Sequence, residues 1–325
     1  MGQPYPLGAS VQDNGINFSM VNASEEECGI IFYRKGVEQK GRILFDQKYR
    51  IGNICCVFVE GISACDCEYN FFIGENVFVD PYAKRIVGNE KWRSGEYVRP
   101  LLRGGFDHCV FDWQGTERLH IPYHESIMYC LNVRSFTRHA SSKVKKKGTF
   151  EGLMEKIPYL RELGVNSIEL MPAYEFEECE WEQTPAETRA QIAYQVDHID
   201  EDLALNTAPQ KAKRLNCWGY KEAFYFAPKA SYAASGNPCE EFRRMVRMLH
   251  KNGIELIMQF YFPDHIKQGY ILEIIKYWVL TYQIDGVHLK GSRLPMTLIA
   301  TEPLLANTKL LGENFYLHEI YPGTT

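Results

Sequence analysis

A lysine at the tip of a buried strand is the residue whose chemistry most needs explaining. Ile284 to Gly291 reads IDGVHLKG, a short apolar strand running into a loop, with Lys290 as its last outward side chain. A buried neutral amine can act as a nucleophile, as in Schiff-base enzymes. The plainer expectation is an ion pair with a carboxylate on the neighbouring strand end, and Glu313, in LLGENF, stands there. The dipeptide Cys55-Cys56 and the motif Cys65-x-Cys67 have no second Cys/His pair at ligand spacing, so free thiols are expected rather than a metal site, and no metal or cofactor is implied.

The elements that position these residues fall into two regions. From Gly15 to about Gly88, short strands alternate with turn residues; in GINFSMVN, Ile16, Phe18 and Met20 alternate with Asn17 and Ser19, and CGIIFYRK, RILFD, ICCVFVEG and EYNFFIG follow. That pattern predicts a β-sandwich. After a connector the period changes. Ile127–Val133 reads as a strand, Phe150 to Leu163 as one helix closed by Gly164, and Val165–Met171 as the next strand. Asn237 and Pro238 cap and start another helix, followed by a strand at Ile254–Phe260, a helix at Leu272–Thr281, a strand at Gly286–Leu289 and one at Lys309–Gly312. Such alternation implies right-handed βαβ units around a parallel sheet. Between the two strand–helix groups, Ala173–Cys217 is long and acidic, expected to be a solvated face.

Composition bounds the partner. The chain has 325 residues, 45% hydrophobic and 24% charged, with a net charge of −5, which gives no basic field for nucleic acid or anionic lipid. A neutral ligand or another protein is the expected partner. No segment approaches the roughly 20 apolar residues needed to cross a bilayer. The start shows neither a basic leader nor an apolar run, and Pro6 replaces the Ser or Thr of a myristoylation pattern, so a cytoplasmic location is expected.

Several motifs in one order resemble a known family. LGASVQDNGINFSMVNAS, VDPYAKRI, IPYHESIMYCLNVRSFT, GTFEGLMEKIPYLRELGVNSIELMP, CWGYKEAFYFAPKASYA and IATEPLLANTKLLGENF are similar to glycoside hydrolase family 13, in its isoamylase and glycogen-debranching (pullulanase-like) branch. The resemblance implies a multidomain β plus α/β protein: an immunoglobulin-like, carbohydrate-binding-type sandwich over residues 1–110, a connector over 111–126, and an incomplete (β/α)8 TIM-type barrel over 127–325 with strands 1 to about 5. Five strands cannot close a barrel, so the chain is expected to be part of a longer product.

The family hydrolyses α-1,6 linkages of α-glucans with two carboxyl groups roughly 5 Å apart, one the nucleophile and one the acid/base. Glu313 matches the general acid. Lys290 falls on the nucleophile position and His288 on the arginine that supports it. In IMQFYFPDH, Gln259, Pro263 and Asp264 fall on an Asp, an Asn and a His near the first sugar; Trp218 and Tyr220 of CWGY match an aromatic pair whose tyrosine stacks under a sugar, and Tyr174 stands where relatives often have a histidine. A cation facing the sugar cation of the transition state replaces attraction by repulsion. At an effective dielectric of about 20, this shifts the barrier by roughly 6 to 7 kcal/mol. The resemblance therefore implies a catalytically inactive debranching-type protein that binds glycogen or a branched maltodextrin, or partners an active homologue. The alternative is a working α-1,6-glucosidase.

Overall fold

The computed structural model describes residues 2–34, 37–90, 101–107, 110–181 and 212–313. The chain divides into two compact units, the first ending at Cys109 and taking in Cys179–Leu215, the second holding the remainder from Val110 onward.

The first unit is built from antiparallel strands β1 (Gly8–Gln12), β2 (Gly15–Val21), β3 (Cys28–Arg34), β4 (Val37–Leu44), β5 (Ile54–Glu60), β6 (Cys67–Ile73), β7 (Asn76–Phe78), β8 (Arg85–Val87) and β9 (Arg103–Gly105). One sheet runs β1-β2-β5; the other runs β4-β3-β6-β9-β8, with β7 on β6. Period-2 alternation gives each sheet one apolar face, and the two faces meet in a single core. Phe18 from the first sheet packs edge-on against Phe32 (centroids 5.4 Å) and Tyr69 (5.2 Å) of the second. Beneath them Asp80 is buried, accepting a hydrogen bond from the Tyr69 hydroxyl at 2.6 Å and from the Tyr82 amide at 2.8 Å. Burial pushes its carboxyl up to about 6.

In the second unit, β10 (Met128–Leu131) runs into helix α1 (Val133–Arg138). The sequence reading extended that strand to Val133. Asn132 ends it instead, because its side chain accepts the Ser135 amide and caps the helix. The single helix expected over 150–163 is two, α2 (Phe150–Met154) and α3 (Ile157–Glu162). Pro158 lies in the first turn of α3 and has no N–H to continue the ladder back to Met154.

Strand β11 (Ser167–Leu170) follows, then β12 (Tyr174–Glu175) and, after β13 (Cys179–Trp181) and β14 (Ala212–Leu215), which belong to the first unit, β15 (Phe224–Pro228). β12 pairs with β15 and β13 with β14, both antiparallel. Most of the long acidic stretch lies outside the described residues. Its first carboxylates, however, are not a solvated face: Glu175 is buried against the Lys229 ammonium at 2.7 Å and the Ala230 amide at 2.6 Å. Glu178 takes Arg134 at 2.7 Å and the Ser231 hydroxyl at 2.8 Å. Burying a carboxylate is tolerable only with such partners.

The remaining elements are α4 (Pro238–Lys251), β16 (Glu255–Tyr261), α5 (Gln268–Tyr282), β17 (Gly286–Lys290), α6 (Met296–Thr301) and β18 (Lys309–Gly312). The principal sheet is five-stranded, wholly parallel and in sequential order, β10-β11-β16-β17-β18, as in the opening strands of a (β/α) barrel. One face is apolar and covered by helices: Phe242 of α4 and Trp278 of α5 lie 5.1 Å apart, and Trp278 is 6.0 Å from Phe260 of β16. Residues of the expected connector belong to this unit. The amides of Leu119 and Ile121 donate to Asp285 (3.1 Å) and Glu255 (2.9 Å), at the amino-terminal ends of β17 and β16.

Four of the described cysteines are buried, Cys28, Cys55, Cys56 and Cys239, whereas Cys65, Cys130 and Cys217 are exposed. Among the described residues no cluster of His, Cys, Asp and Glu has the makings of a metal site.

Candidate functional site

The site lies toward the carboxyl ends of the parallel strands. Alternation puts apolar side chains on the helix-covered face: Ile168 and Leu170 flank Glu169, Met258 and Phe260 flank Gln259, Val287 and Leu289 flank His288. The three polar residues between them point the other way and meet. Glu169 accepts a hydrogen bond from Gln259 Nε2 at 2.6 Å and a very short one from His288 Nδ1. Gln259 and His288 stand opposite each other in register, so one carboxylate ties three strands together.

Further out on the same face is Lys290. Its Nζ lies 2.7 Å from Glu313 Oε1, the ion pair expected from the adjacency of the two strand ends. The lysine side chain is mostly buried, 18% exposed, whereas the glutamate is 64% exposed. Gly291 lets the chain turn away directly after the lysine: at φ +142°, a side chain there would strike the Phe262 carbonyl oxygen at 2.4 Å.

Tyr220 closes the cluster. Its hydroxyl donates to Gln259 Oε1 at 2.6 Å, and the Lys290 ammonium sits over its ring, 5.8 Å from the centroid. Tyr261 approaches the same ring, with centroids 6.1 Å apart. The turn that carries Tyr220 depends on Gly219, whose φ of +76° and 2.7 Å gap to the Phe176 ring admit no side chain.

The electrostatics follow from these contacts. Hydrogen bonding to His288 and Gln259, and the charges of His288 and Lys290, hold the Glu169 carboxyl below its ordinary range. Lys290 does the same to Glu313. Burial first, then the negative charges nearby, pushes the Tyr220 hydroxyl up to about 12, so it remains a donor. Partial desolvation, on a residue that is otherwise exposed, and then the Glu169 charge likewise raise the Cys130 thiol, which lies 3.6 Å from Gln259 Nε2.

Of the residues singled out in the sequence, the structure brings together Glu313, Lys290, His288, Gln259 and Tyr220. Trp218 stands 57% exposed on the turn two residues before Tyr220. Asp264 is exposed and accepts a short bond from the Ser292 hydroxyl. Tyr174 is corrected outright: it is fully buried, stacked on Phe260 with its hydroxyl accepting the Tyr261 amide at 3.1 Å, and has no surface to offer a sugar. Glu169 and Cys130 were missed. The signal for Glu169 was a carboxylate at mid-strand between two apolar neighbours.

No family model matches the sequence. The chain is 30% identical to isoamylase 1, chloroplastic, of Oryza sativa subsp. japonica, over 82% of this chain and 33% of that protein. It is 27% identical to a glycogen operon protein GlgX homolog of Haemophilus influenzae, over 96% of this chain and 55% of that protein. The crystal structure of a Group B Streptococcus pullulanase in complex with maltotetraose shares the fold at a TM-score of 0.70 and 17% identity, over 95% of this chain and 46% of that one. The chain thus spans about a third to about half the length of these relatives. With its sequential parallel sheet, its ordered motifs and these relatives, the chain belongs to the isoamylase and pullulanase-type branch of glycoside hydrolase family 13.

Proposed function

We propose that this chain is a non-hydrolytic member of the glycogen- and starch-debranching family that binds an α-glucan, or partners an active homologue. The observation that carries the reading is the 2.7 Å ion pair between Lys290 and Glu313. A retaining glycosidase needs a protonated acid on one side of the scissile bond and a carboxylate nucleophile roughly 5 Å away. Here the lysine holds the carboxyl at the acid position below its ordinary range, the opposite of the raised carboxyl that a general acid needs. The nucleophile position is itself a cation. Maltotetraose bound by a pullulanase of the same fold supports an α-glucan as the ligand.

The two packed antiparallel sheets of the first unit support its reading as an immunoglobulin-like, carbohydrate-binding-type module over residues 1–110. The barrel reading of 127–325, the active homologue as partner and a cytoplasmic setting belong to the same proposal, the last two resting on sequence alone.

Release of reducing ends from glycogen, together with retardation in a glycogen-containing gel, tests it. Retardation without release is the expected result. A second reading, an active α-1,6-glucosidase, is favoured by one observation: the chain is similar to isoamylases, and Glu313 keeps a carboxyl group at the acid position. Turnover abolished by Glu313→Gln would establish it and remove the first.

A further inference from the structure

We propose that the loop over residues 143–147, which takes no part in the candidate site, docks a carboxylate-rich segment of a partner protein. From residue 133 to 150 the sequence carries no acidic side chain, whereas Lys143, Lys145, Lys146 and Lys147 fall within five residues. All four are exposed, and among the described residues none of their ammonium groups meets a carboxylate. In a chain of net charge −5, this is a local concentration of positive charge. Its backbone is pinned, so the lysines are held in a fixed arrangement. Val144 is buried between them. The amides of Lys145 and Lys146 donate to the Glu155 carboxylate at 3.1 and 3.4 Å, the Gly148 amide donates to Thr137 Oγ1 at 2.7 Å, and the Thr149 hydroxyl donates to the Lys146 carbonyl at 2.7 Å. Gly152 of α2 lies so close that a Cβ there would meet the Lys146 carbonyl oxygen at 2.2 Å. A surface already held in one shape loses little entropy on binding.

The same features select the class of partner. Glu155 occupies the amides of Lys145 and Lys146, which leaves no backbone nest there to enclose a single phosphate. No aromatic side chain stands among the lysines to stack a base, and the net charge of the whole chain opposes a nucleic acid. Val144, the apolar residue of the run, is turned inward, so the loop has nothing to insert into a lipid surface. Separate point charges on a fixed loop fit carboxylates taken one at a time, as an acidic peptide presents them.

Fluorescence anisotropy of a labelled hexaglutamate peptide with the full chain, in dilute buffer, tests this. The triple variant Lys145→Gln, Lys146→Gln, Lys147→Gln should weaken binding about tenfold and keep the wild-type Tm, because these side chains hold nothing in the fold. A second triple variant, Lys48→Gln, Lys251→Gln, Lys267→Gln, makes the same change of net charge at exposed lysines elsewhere and should bind like the wild type. Added salt should weaken the wild-type complex. A wild type that does not bind the peptide, an equal loss in both triple variants, or tighter binding of oligothymidylate or of phosphatidylserine vesicles than of the peptide overturns the proposal. Glycogen retardation reads the glucan-binding proposal alone, so the two stand or fall separately.

Discussion

Lys290 and Glu313 join the ends of adjacent parallel strands through a 2.7 Å contact, the lysine largely buried and the glutamate mostly in solvent. The consequence lies in protonation rather than stability, since pairs with an exposed partner stabilise little. Lys290→Met should let the Glu313 carboxyl titrate at a higher pH, back toward an ordinary glutamate, with no resolvable change in Tm. Carbon-13 NMR of the side-chain carboxyl measures it; an unchanged titration would show that the lysine does not control the group.

Glu169 should matter more to folding. It is the acceptor for both Gln259 and His288, so Glu169→Ala strands two partners and should destabilise by about 1–3 kcal/mol, read from denaturant midpoints. Its carboxyl is depressed in the folded state. The unfolded chain therefore takes up a proton at a higher pH than the folded one. The stabilisation is present above the ordinary glutamate range and is lost as pH falls through the folded value. Wild type should lose more Tm than Glu169→Gln on acidification below about pH 5.

Asp80 works in the opposite sense. Its folded carboxyl is raised to about 6, so between the ordinary aspartate value and that point the folded state holds the extra proton. Its contribution is full below the unfolded value and declines as pH rises through about 6. Asp80→Asn, which can still accept from the Tyr69 hydroxyl, should flatten that part of the stability profile of the first unit; thermal unfolding between pH 4 and 7 checks it.

Tyr174 should behave as core. Removing its hydroxyl in Tyr174→Phe leaves the Tyr261 amide without its acceptor and should cost about 1–2 kcal/mol, whereas Tyr174→Ala should cost about 3–5 kcal/mol. Glycogen retardation of the folded variants should match the wild type. A selective loss of binding at full stability would return this residue to the site.

Much of this architecture was legible because alternation and helical spacing are local signals. Ile16, Phe18 and Met20 announced β2, and Asn237-Pro238 announced the start of α4. Where one residue arbitrated between two local signals, the reading slipped: Asn132 ended a strand and capped α1, and Pro158 divided a helix whose apolar spacing ran on unbroken. Lys290 stood out as an odd residue at a strand end, whereas Glu313 and His288 came to notice through the family resemblance. Glu169 did neither, because its role is to bridge β11 to β17 across β16, a relation that sequence separation does not encode. Tyr174 misled because position in a motif says nothing about which way a ring turns.

The compensated pair at the strand ends also governs what the site does at a distance. A lone ammonium or carboxylate projects a field that salt screens over about 10 Å at 0.1 M ionic strength, whereas two opposite charges 2.7 Å apart project only a weak dipole. Capture of a neutral polymer at such a surface should therefore be indifferent to ionic strength, and glycogen retardation should stay constant from about 0.05 to 0.5 M salt. The protein would hold its ligand equally well in dilute and in concentrated electrolyte.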